Sequence, residues 1–135
     1  MKKIFLQMIF LSTAILLLSV SCSASFSTAN IKEAYLVRDA GGNLEPVEFY
    51  AQDEVFLCVA DLANAPDDTV VTAAWYAVDA QDVEPNFLID QVSITSGSNQ
   101  LFFDLANDYL WPIGTYRVDL SINEEFSQSV EFFVK

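Results

Sequence analysis

Apolar and polar residues alternate with a period of two along most of the chain after residue 30, and no stretch there keeps a helical period. This alternation predicts extended strands that bury one face and expose the other. It is clearest at residues 115–122, where Tyr116, Val118 and Leu120 share one side. The same criterion predicts strands at 31–37, 46–50, 54–62, 69–78, 87–94, 100–105, 115–122 and 126–134.

Turn-forming residues separate these predicted strands. The segments 39–43, 64–68 and 96–99 are rich in Gly, Asn, Asp and Ser, which interrupt extended structure. A tight turn at Asn123 and Glu124 joins the last two strands, which we expect to form a hairpin. Seven or eight short strands, each with one wet and one dry face, predict an all-β protein built as an antiparallel β-sandwich.

The first residues have the order of a secretory signal. Lys2 and Lys3 precede an apolar stretch over residues 4–20, and small residues follow at 21–25. We therefore predict a signal peptide at 1–21, a small polar tether at 22–30 and one domain at 31–135. Because the apolar stretch is slightly longer than a usual signal-peptide core, though slightly short for a membrane span, an uncleaved N-terminal anchor is the alternative.

Cys22 lies where the apolar stretch meets the small residues. The string from Leu18 to Cys22 resembles a bacterial lipobox, in which the cysteine becomes the lipidated first residue of the mature protein. Ser19 stands where that pattern prefers leucine. The resemblance implies an exported protein, anchored by acyl chains on the periplasmic or outer face of the cell envelope. The alternative is ordinary cleavage, for instance after Ala24, and a secreted domain.

The net charge of the predicted mature chain limits the classes of molecule that it can bind. Removal of Lys2 and Lys3 leaves four basic residues against 19 acidic ones, a net charge of −15. Such a surface repels the phosphates of nucleic acids, so nucleic-acid binding is excluded. It also repels anionic lipid headgroups, so membrane contact is expected only through the N-terminal anchor.

The residues that usually carry catalysis are scarce. The chain has no histidine, so it lacks the imidazole base of most nucleophilic sites and the imidazole ligand of zinc and haem sites. Cys58 alternates with Phe56 and Ala60 in a predicted strand, which favours an inert buried thiol. We therefore do not expect an enzyme.

Three positions resemble those of an immunoglobulin-like fold: Cys58, then Trp75, then Tyr116. In that family a cysteine, a buried tryptophan and a corner tyrosine surround the core, and the tyrosine hydroxyl bonds to nearby backbone. Val118 stands where the family's second cysteine would be, so the resemblance implies no inter-sheet disulfide. The segment 111–120 also resembles the close of bacterial cell-surface sandwich modules, which bring no catalytic residues with them.

Calcium is the only metal for which the sequence offers ligands. Asp79, Asp82 and Glu84 share one predicted loop, and Asp67 and Asp68 share another. Carboxylate oxygens on sandwich loops are suitable calcium ligands, although the spacing fits no EF-hand. The alternative, which we favour, is a solvated acidic rim without metal.

Two further features could serve binding. Tyr109 and Trp111 lie in one connection and could present their rings to a sugar or a protein. Alternatively, Trp111 folds back over the open end of the core, ahead of Pro112. An unprotected edge strand could also accept a strand from a partner, although the sequence does not show which edge is open.

These observations predict a non-catalytic lipoprotein module of the cell envelope that acts in protein–protein binding or as a structural accessory. The expected partner is another envelope protein or a glycan. A surface domain that binds carbohydrate or calcium is the alternative.

Overall fold

The alternating pattern produces strands throughout the part of the chain that the computed structural model describes, which is residues 28–135. The predicted signal peptide 1–21, Cys22 and most of the tether lie outside the described residues. Within 28–135 there are nine strands: β1 (Asn30–Ala40), β2 (Asn43–Pro46), β3 (Phe49–Tyr50), β4 (Phe56–Ala63), β5 (Val70–Ala80), β6 (Phe87–Thr95), β7 (Gln100–Leu105), β8 (Gly114–Ile122) and β9 (Glu125–Val134). No helix in this part of the chain is long and apolar enough to cross a membrane.

The strands form two sheets, which confirms the predicted all-β sandwich. Among the described residues, sheet A has the order β2-β1-β4-β7 and sheet B the order β3-β9-β8-β5-β6. All pairs are antiparallel except β3 with β9, which is parallel. The sheets pack face to face, so that the inward residues of each strand bury against those of the other sheet.

One predicted strand, 46–50, is divided between the two sheets. β2 turns back on β1 through Gly41 and Gly42, whose φ values of 68° and 95° favour glycine, and Gly42 N–H donates to Asp39 Oδ1 at 2.8 Å. β3 then crosses to sheet B and pairs with β9. The predicted break at 39–43 is therefore wrong in extent, because β1 continues to Ala40 and only the two glycines form the turn.

The predicted hairpin of β8 and β9 is confirmed. Asn123 and Glu124 connect the strands with φ values of 49° and 71°, a left-handed pair that matches the twist of a tight hairpin. Asn123 is also tied to β5: its N–H donates to Val70 O at 2.8 Å, and its Oδ1 accepts from Val70 N–H at 3.0 Å.

The core is built around the ring of Phe56. This ring stacks on Trp111 with a centroid distance of 4.3 Å, and it meets Phe132 edge-on at 4.7 Å. Offset and edge-on contacts of this kind add to the free energy gained from burying apolar area. Three more buried rings lie within 6.2 Å of Phe56: Tyr50, Trp75 and Tyr116.

The buried hydroxyl of Tyr50 joins the two sheets. Tyr50 belongs to β3 of sheet B, and its O–H donates to Val37 O of β1 at 2.7 Å. The same oxygen accepts from Leu57 N–H of β4 at 3.3 Å. Burial raises the pKa of Tyr50 to about 12, so the hydroxyl remains a donor at physiological pH.

Cys58 occupies the core without a disulfide, as the resemblance implied. It is a free, fully buried thiol, and burial raises its pKa to about 12. Val118, which replaces the second cysteine of the family pattern, lies opposite Trp75 in the pairing of β5 with β8 and belongs to the same buried cluster as Cys58. The interior of the described domain is therefore held by packing and hydrogen bonds.

Gly114 provides a test of the junction between β8 and β5. A Cβ atom at this position would overlap Asp79 O and would lie 2.5 Å from Ala80 Cα. We expect Gly114→Ala to lower the free energy of unfolding by at least about 2 kcal/mol, because backbone atoms must move to admit the methyl group. Urea denaturation of the domain measures this change.

Gly41→Ala is the matched control. Gly41 has a φ of 68°, and a Cβ atom added there would meet no heavy atom within 4 Å, so only the left-handed backbone penalises alanine. The expected cost is about 1 kcal/mol. Equal losses at the two positions would show that the close approach at Gly114 contributes nothing.

Candidate functional site

The two ends of the sandwich differ in what they carry. Asn30 pairs with Ala63, so the chain enters the domain at the end that holds the connections 64–69, 96–99 and 123–124. We call this the proximal end. The connections 51–55, 81–86 and 106–113 lie at the opposite end, which we call the distal end.

A groove of about 380 Å³ lies at the distal end, on the flank where β6 and β7 are the last strands of their sheets. We call it the distal groove. Strand β6 contributes apolar side chains to it, β7 contributes Leu105, and the 106–113 connection contributes residues near its two ends. Its principal lining residues are Phe87, Ile89, Asp90, Leu105, Trp111 and Pro112.

A larger depression, of about 730 Å³, lies at the proximal end. It is lined by residues around the start of β1 and the β8–β9 turn, among them Ala29, Asn30, Asn123 and Phe126. This depression adjoins the predicted tether, which brings the chain into the domain at this point. The distal groove is the cavity that lies away from the tether.

Trp111 is buried and lines the distal groove with the edge of its side chain. Its side chain is 5% exposed, its ring stacks on Phe56, and its Nε1–H donates to Glu54 O at 2.9 Å. Burial thus gives the indole both apolar contact and a partner for its N–H. The sequence alternative in which Trp111 folds back over the core is the one that the structure shows.

The neighbours of Trp111 are exposed instead. The side chain of Tyr109 is 82% exposed and that of Leu110 is 63% exposed. The connection is held at its base by Trp111, whose N–H donates to Gln52 O at 2.8 Å and whose carbonyl accepts from Gln52 Nε2 at 2.9 Å. Tyr109 and Leu110 therefore project from a fixed loop rather than from a free one.

Tyr116 fixes the other end of this connection. Its hydroxyl donates to Pro112 O at 2.6 Å, as the resemblance to an immunoglobulin corner tyrosine implied. Burial raises the pKa of Tyr116 to about 12, so the donor stays protonated at physiological pH. The hydrogen bond orients the backbone of the 106–113 connection against β8.

The acidic loop 81–86 packs against the same connection. Gln81 N–H donates to Ile113 O at 2.9 Å, and Val83 lines the distal groove. Asp82 and Asn86 adopt φ values of 61° and 55°, which turn the loop back toward β6. The structure thus brings the acidic loop and the Tyr109 loop, which are distant in sequence, to the two sides of one groove.

The acidic residues proposed for calcium are divided between the ends of the sandwich. Asp79, Asp82 and Glu84 lie at the distal end, whereas Asp67 and Asp68 lie at the proximal end, separated by the roughly 35 Å length of β5. Within residues 28–135, no group of three or more His, Cys, Asp or Glu side chains is placed to hold a metal ion. A calcium site in the distal loop remains a prediction.

Three basic side chains of the domain are engaged by neighbouring residues, and Arg117 reaches the end of the acidic loop, where it donates to Asn86 Oδ1 at 2.9 Å. Arg38 pairs with Glu54, which raises the pKa of the arginine and lowers that of the glutamate through their hydrogen bond. Arg117 lies over the ring of Tyr76 at 4.3 Å and bonds Asp119, and Lys135 lies over Phe49. Among the described residues that line the groove, Asp90 is the only charged one.

The groove residues of β6 are not identifiable from the sequence pattern alone. That pattern predicts 87–94 only as a strand, and its contribution to a groove depends on the strand order, which places β6 at the edge of sheet B. A usable signal is present in the consecutive apolar residues Phe87, Leu88 and Ile89. Such a run places apolar side chains on both faces of a strand, and an edge strand cannot bury both.

Comparison with known proteins gives structural relatives only. No protein-family model matches the chain, and no curated protein matches it. An immunoglobulin-like protein from Pseudomonas aeruginosa superimposes with a TM-score of 0.54 at 13% sequence identity, over 79% of this chain and 96% of that one.

Two enzymes contain a part with a similar fold. An alkylpurine DNA glycosylase from Pseudomonas fluorescens matches with a TM-score of 0.50 at 17% identity, over 79% of this chain and 30% of the enzyme. A beta-glucosidase from Listeria innocua matches with a TM-score of 0.51 at 16% identity, over 82% of this chain and 16% of the enzyme. The matched region is a minor part of each enzyme. At these identities the likeness concerns the fold alone, and the fold of this chain is an immunoglobulin-like β-sandwich.

Proposed function

We propose that this chain is a non-catalytic binding module of the cell envelope, tethered by a lipid on Cys22, which engages another envelope protein through the distal groove. The observation that carries the proposal is the collection of exposed apolar side chains around this groove. They belong to a strongly acidic domain, which also exposes apolar side chains elsewhere, among them Phe49, Phe102 and Phe126.

Several exposed apolar side chains lie on the elements that border the distal groove. Phe87, Leu88, Tyr109, Leu110 and Ile113 are all exposed, and they belong to β6 or to the connection beside the groove. Grouped apolar side chains on a soluble domain mark contact surfaces, because leaving them in water costs free energy that binding recovers. The net charge of −15 keeps such a domain soluble while the apolar patch is free.

The chemistry of the groove suits contact rather than bond formation. The chain has no histidine, and its thiol at Cys58 is buried with a pKa raised to about 12. Asp90 and Tyr116 are the titratable groups among the groove's described lining residues, and the Tyr116 hydroxyl is engaged by Pro112 O. An apolar groove with one carboxylate can hold an apolar side chain and a cation.

The placement of the tether supports the same function. The chain enters the domain at Asn30 on the proximal end, and the groove lies at the other end of strands that are roughly 35 Å long. A lipid on Cys22 would hold the proximal end near the membrane. The distal groove would then face away from the bilayer, toward other envelope proteins.

Lipidation of Cys22 can be tested directly. We expect metabolic labelling with an alkyne-bearing fatty acid to label the wild-type protein, and we expect Cys22→Ser to abolish the label because the acceptor thiol is gone. Cys58→Ala is the matched control and should keep the label, since Cys58 is buried in the core. An N-terminal peptide that begins at Ser25 would instead indicate cleavage after Ala24 and a secreted domain.

The location of the binding surface can be tested by photocrosslinking in intact cells. A benzophenone amino acid at Leu110, which is 63% exposed at the distal end, should give discrete protein adducts. Phe126 is the matched control, because it is also a large apolar residue, 66% exposed, but at the proximal end. Equal adducts from both positions, or none from Leu110, would contradict a distal binding surface.

A glycan is the alternative partner, and the exposure of Tyr109 is the observation that favours it. A single exposed ring can stack on a sugar face, although the burial of Trp111 leaves no second ring beside it. In the crosslinking experiment, a glycan partner would give polydisperse Leu110 adducts that glycosidases collapse to one band.

Calcium binding can be tested by thermal melting. Because three carboxylates do not converge in the described residues, we expect calcium to raise the melting temperature no more than magnesium does at equal ionic strength. Magnesium is the necessary control, since any divalent cation screens a domain with a charge of −15. A calcium-specific rise that Asp82→Asn removes would establish the site instead.

A further inference from the structure

We propose that β6 is a docking edge, which accepts an extended segment of the partner protein as an added strand of sheet B, and that this segment carries Lys or Arg among apolar residues. The inference rests on the proposed binding function and specifies its mode. It follows from the length of the edge, the uncovered side of β6 and the position of Asp90.

The four edge strands of the described domain differ in their capacity to accept another strand. β3 has two residues, and β2 has four and ends at Pro46, which has no N–H to donate. β7 has six residues. β6 has nine and contains no Pro, Gly or Lys, although a bulge at Ile89 and the charge of Asp90 interrupt it.

The core-facing side of β6 extends beyond the cover of sheet A. Phe87 lies opposite Ala77 and Val92 lies opposite Ala73 in the pairing with β5, and directly opposite residues point to the same face of a sheet. Both alanines are buried, yet Phe87 is 49% exposed and Val92 is 39% exposed. A strand added outside β6 would bring its own apolar side chains next to theirs and complete this side of the sandwich.

Asp90 determines which partner fits. It lies near the middle of β6, lines the distal groove, and its Oδ1 accepts the N–H of Gln91 at 2.8 Å. The carboxylate thus lies on the backbone of the edge strand. A guanidinium or ammonium group on an incoming segment would pair with Asp90.

The surrounding charge favours a basic segment over a second copy of this chain. Asp79, Asp82 and Glu84 flank the start of β6, and no basic residue lines the groove among those described, although Arg117 donates to Asn86 just before the strand. A basic segment is complementary to this flank. Two copies of the domain, each with a net charge of −15, would instead bring two Asp90 carboxylates to the same edge.

The test uses the full chain in detergent micelles and a pool of nine-residue peptides. The peptides alternate Val or Ile with Lys, Arg, Glu or Ser. Binding is followed by fluorescence anisotropy, and amide hydrogen exchange reports which strand is protected. We expect members with Lys or Arg to bind best, and residues 87–95 to gain protection.

Two controls make the result specific for strand addition. The best peptide is remade with N-methyl groups on alternate amides, which keeps its side chains but removes the donors of one edge, and it should lose binding. Asp90→Lys should weaken binding about tenfold or more, whereas Asp104→Lys, the same charge change on β7, should have little effect.

The outcomes separate this inference from the proposed function. Absence of binding by the whole pool, equal binding of the N-methylated peptide, preference for Glu-containing members, or protection at β7 would each overturn docking at β6. A concentration-dependent dimer that protects β6 without peptide would also overturn it in favour of a second copy. If Leu110 still crosslinks to a protein in those cases, the binding module stands, and if it does not, the proposed function fails as well.

Discussion

The stacking of Trp111 on Phe56 is the contact on which the distal end of the molecule depends. It closes the core between the sheets and fixes the base of the 106–113 connection, near β8. Because Trp111 is held inward, Tyr109 and Leu110 are displayed outward, and the Tyr116 bond to Pro112 sets the path of the chain back into β8. Gln81 then attaches the acidic loop to this connection, so that a packing contact in the core determines the shape of a surface groove.

Sequence reasoning reaches the parts of this structure that depend on local pattern. Alternation within β8 and the turn at Asn123 specify a strand and a hairpin without reference to the rest of the chain. It does not predict the division of residues 46–50, because each half is extended and only the available hydrogen-bond partners decide which sheet it joins. The groove also cannot be predicted from the sequence, because it depends on the strand order and on the burial of Trp111. The sequence alone does not show whether an aromatic ring lies in the core or on the surface.

The basic side chains of the domain do not line the distal groove. Arg38 and Arg117 pair with carboxylates and do not line the groove, although Arg117 also bonds Asn86 of the acidic loop, and Lys135 lies over Phe49. Among the described residues that line the groove, Asp90 is therefore the only charged one. The acidic surface keeps the domain soluble, while the apolar groove remains available for binding.

The replacement of the family's second cysteine by Val118 has a consequence for how the protein matures. A sandwich closed by a sulfur–sulfur bond must meet an oxidant, and often an isomerase, before its two halves are secured. Cys58 has no disulfide partner among the described residues, so the described domain folds without forming a disulfide. The same interior can form in an oxidising or a reducing medium, and reductants that open extracellular immunoglobulin domains would leave it intact.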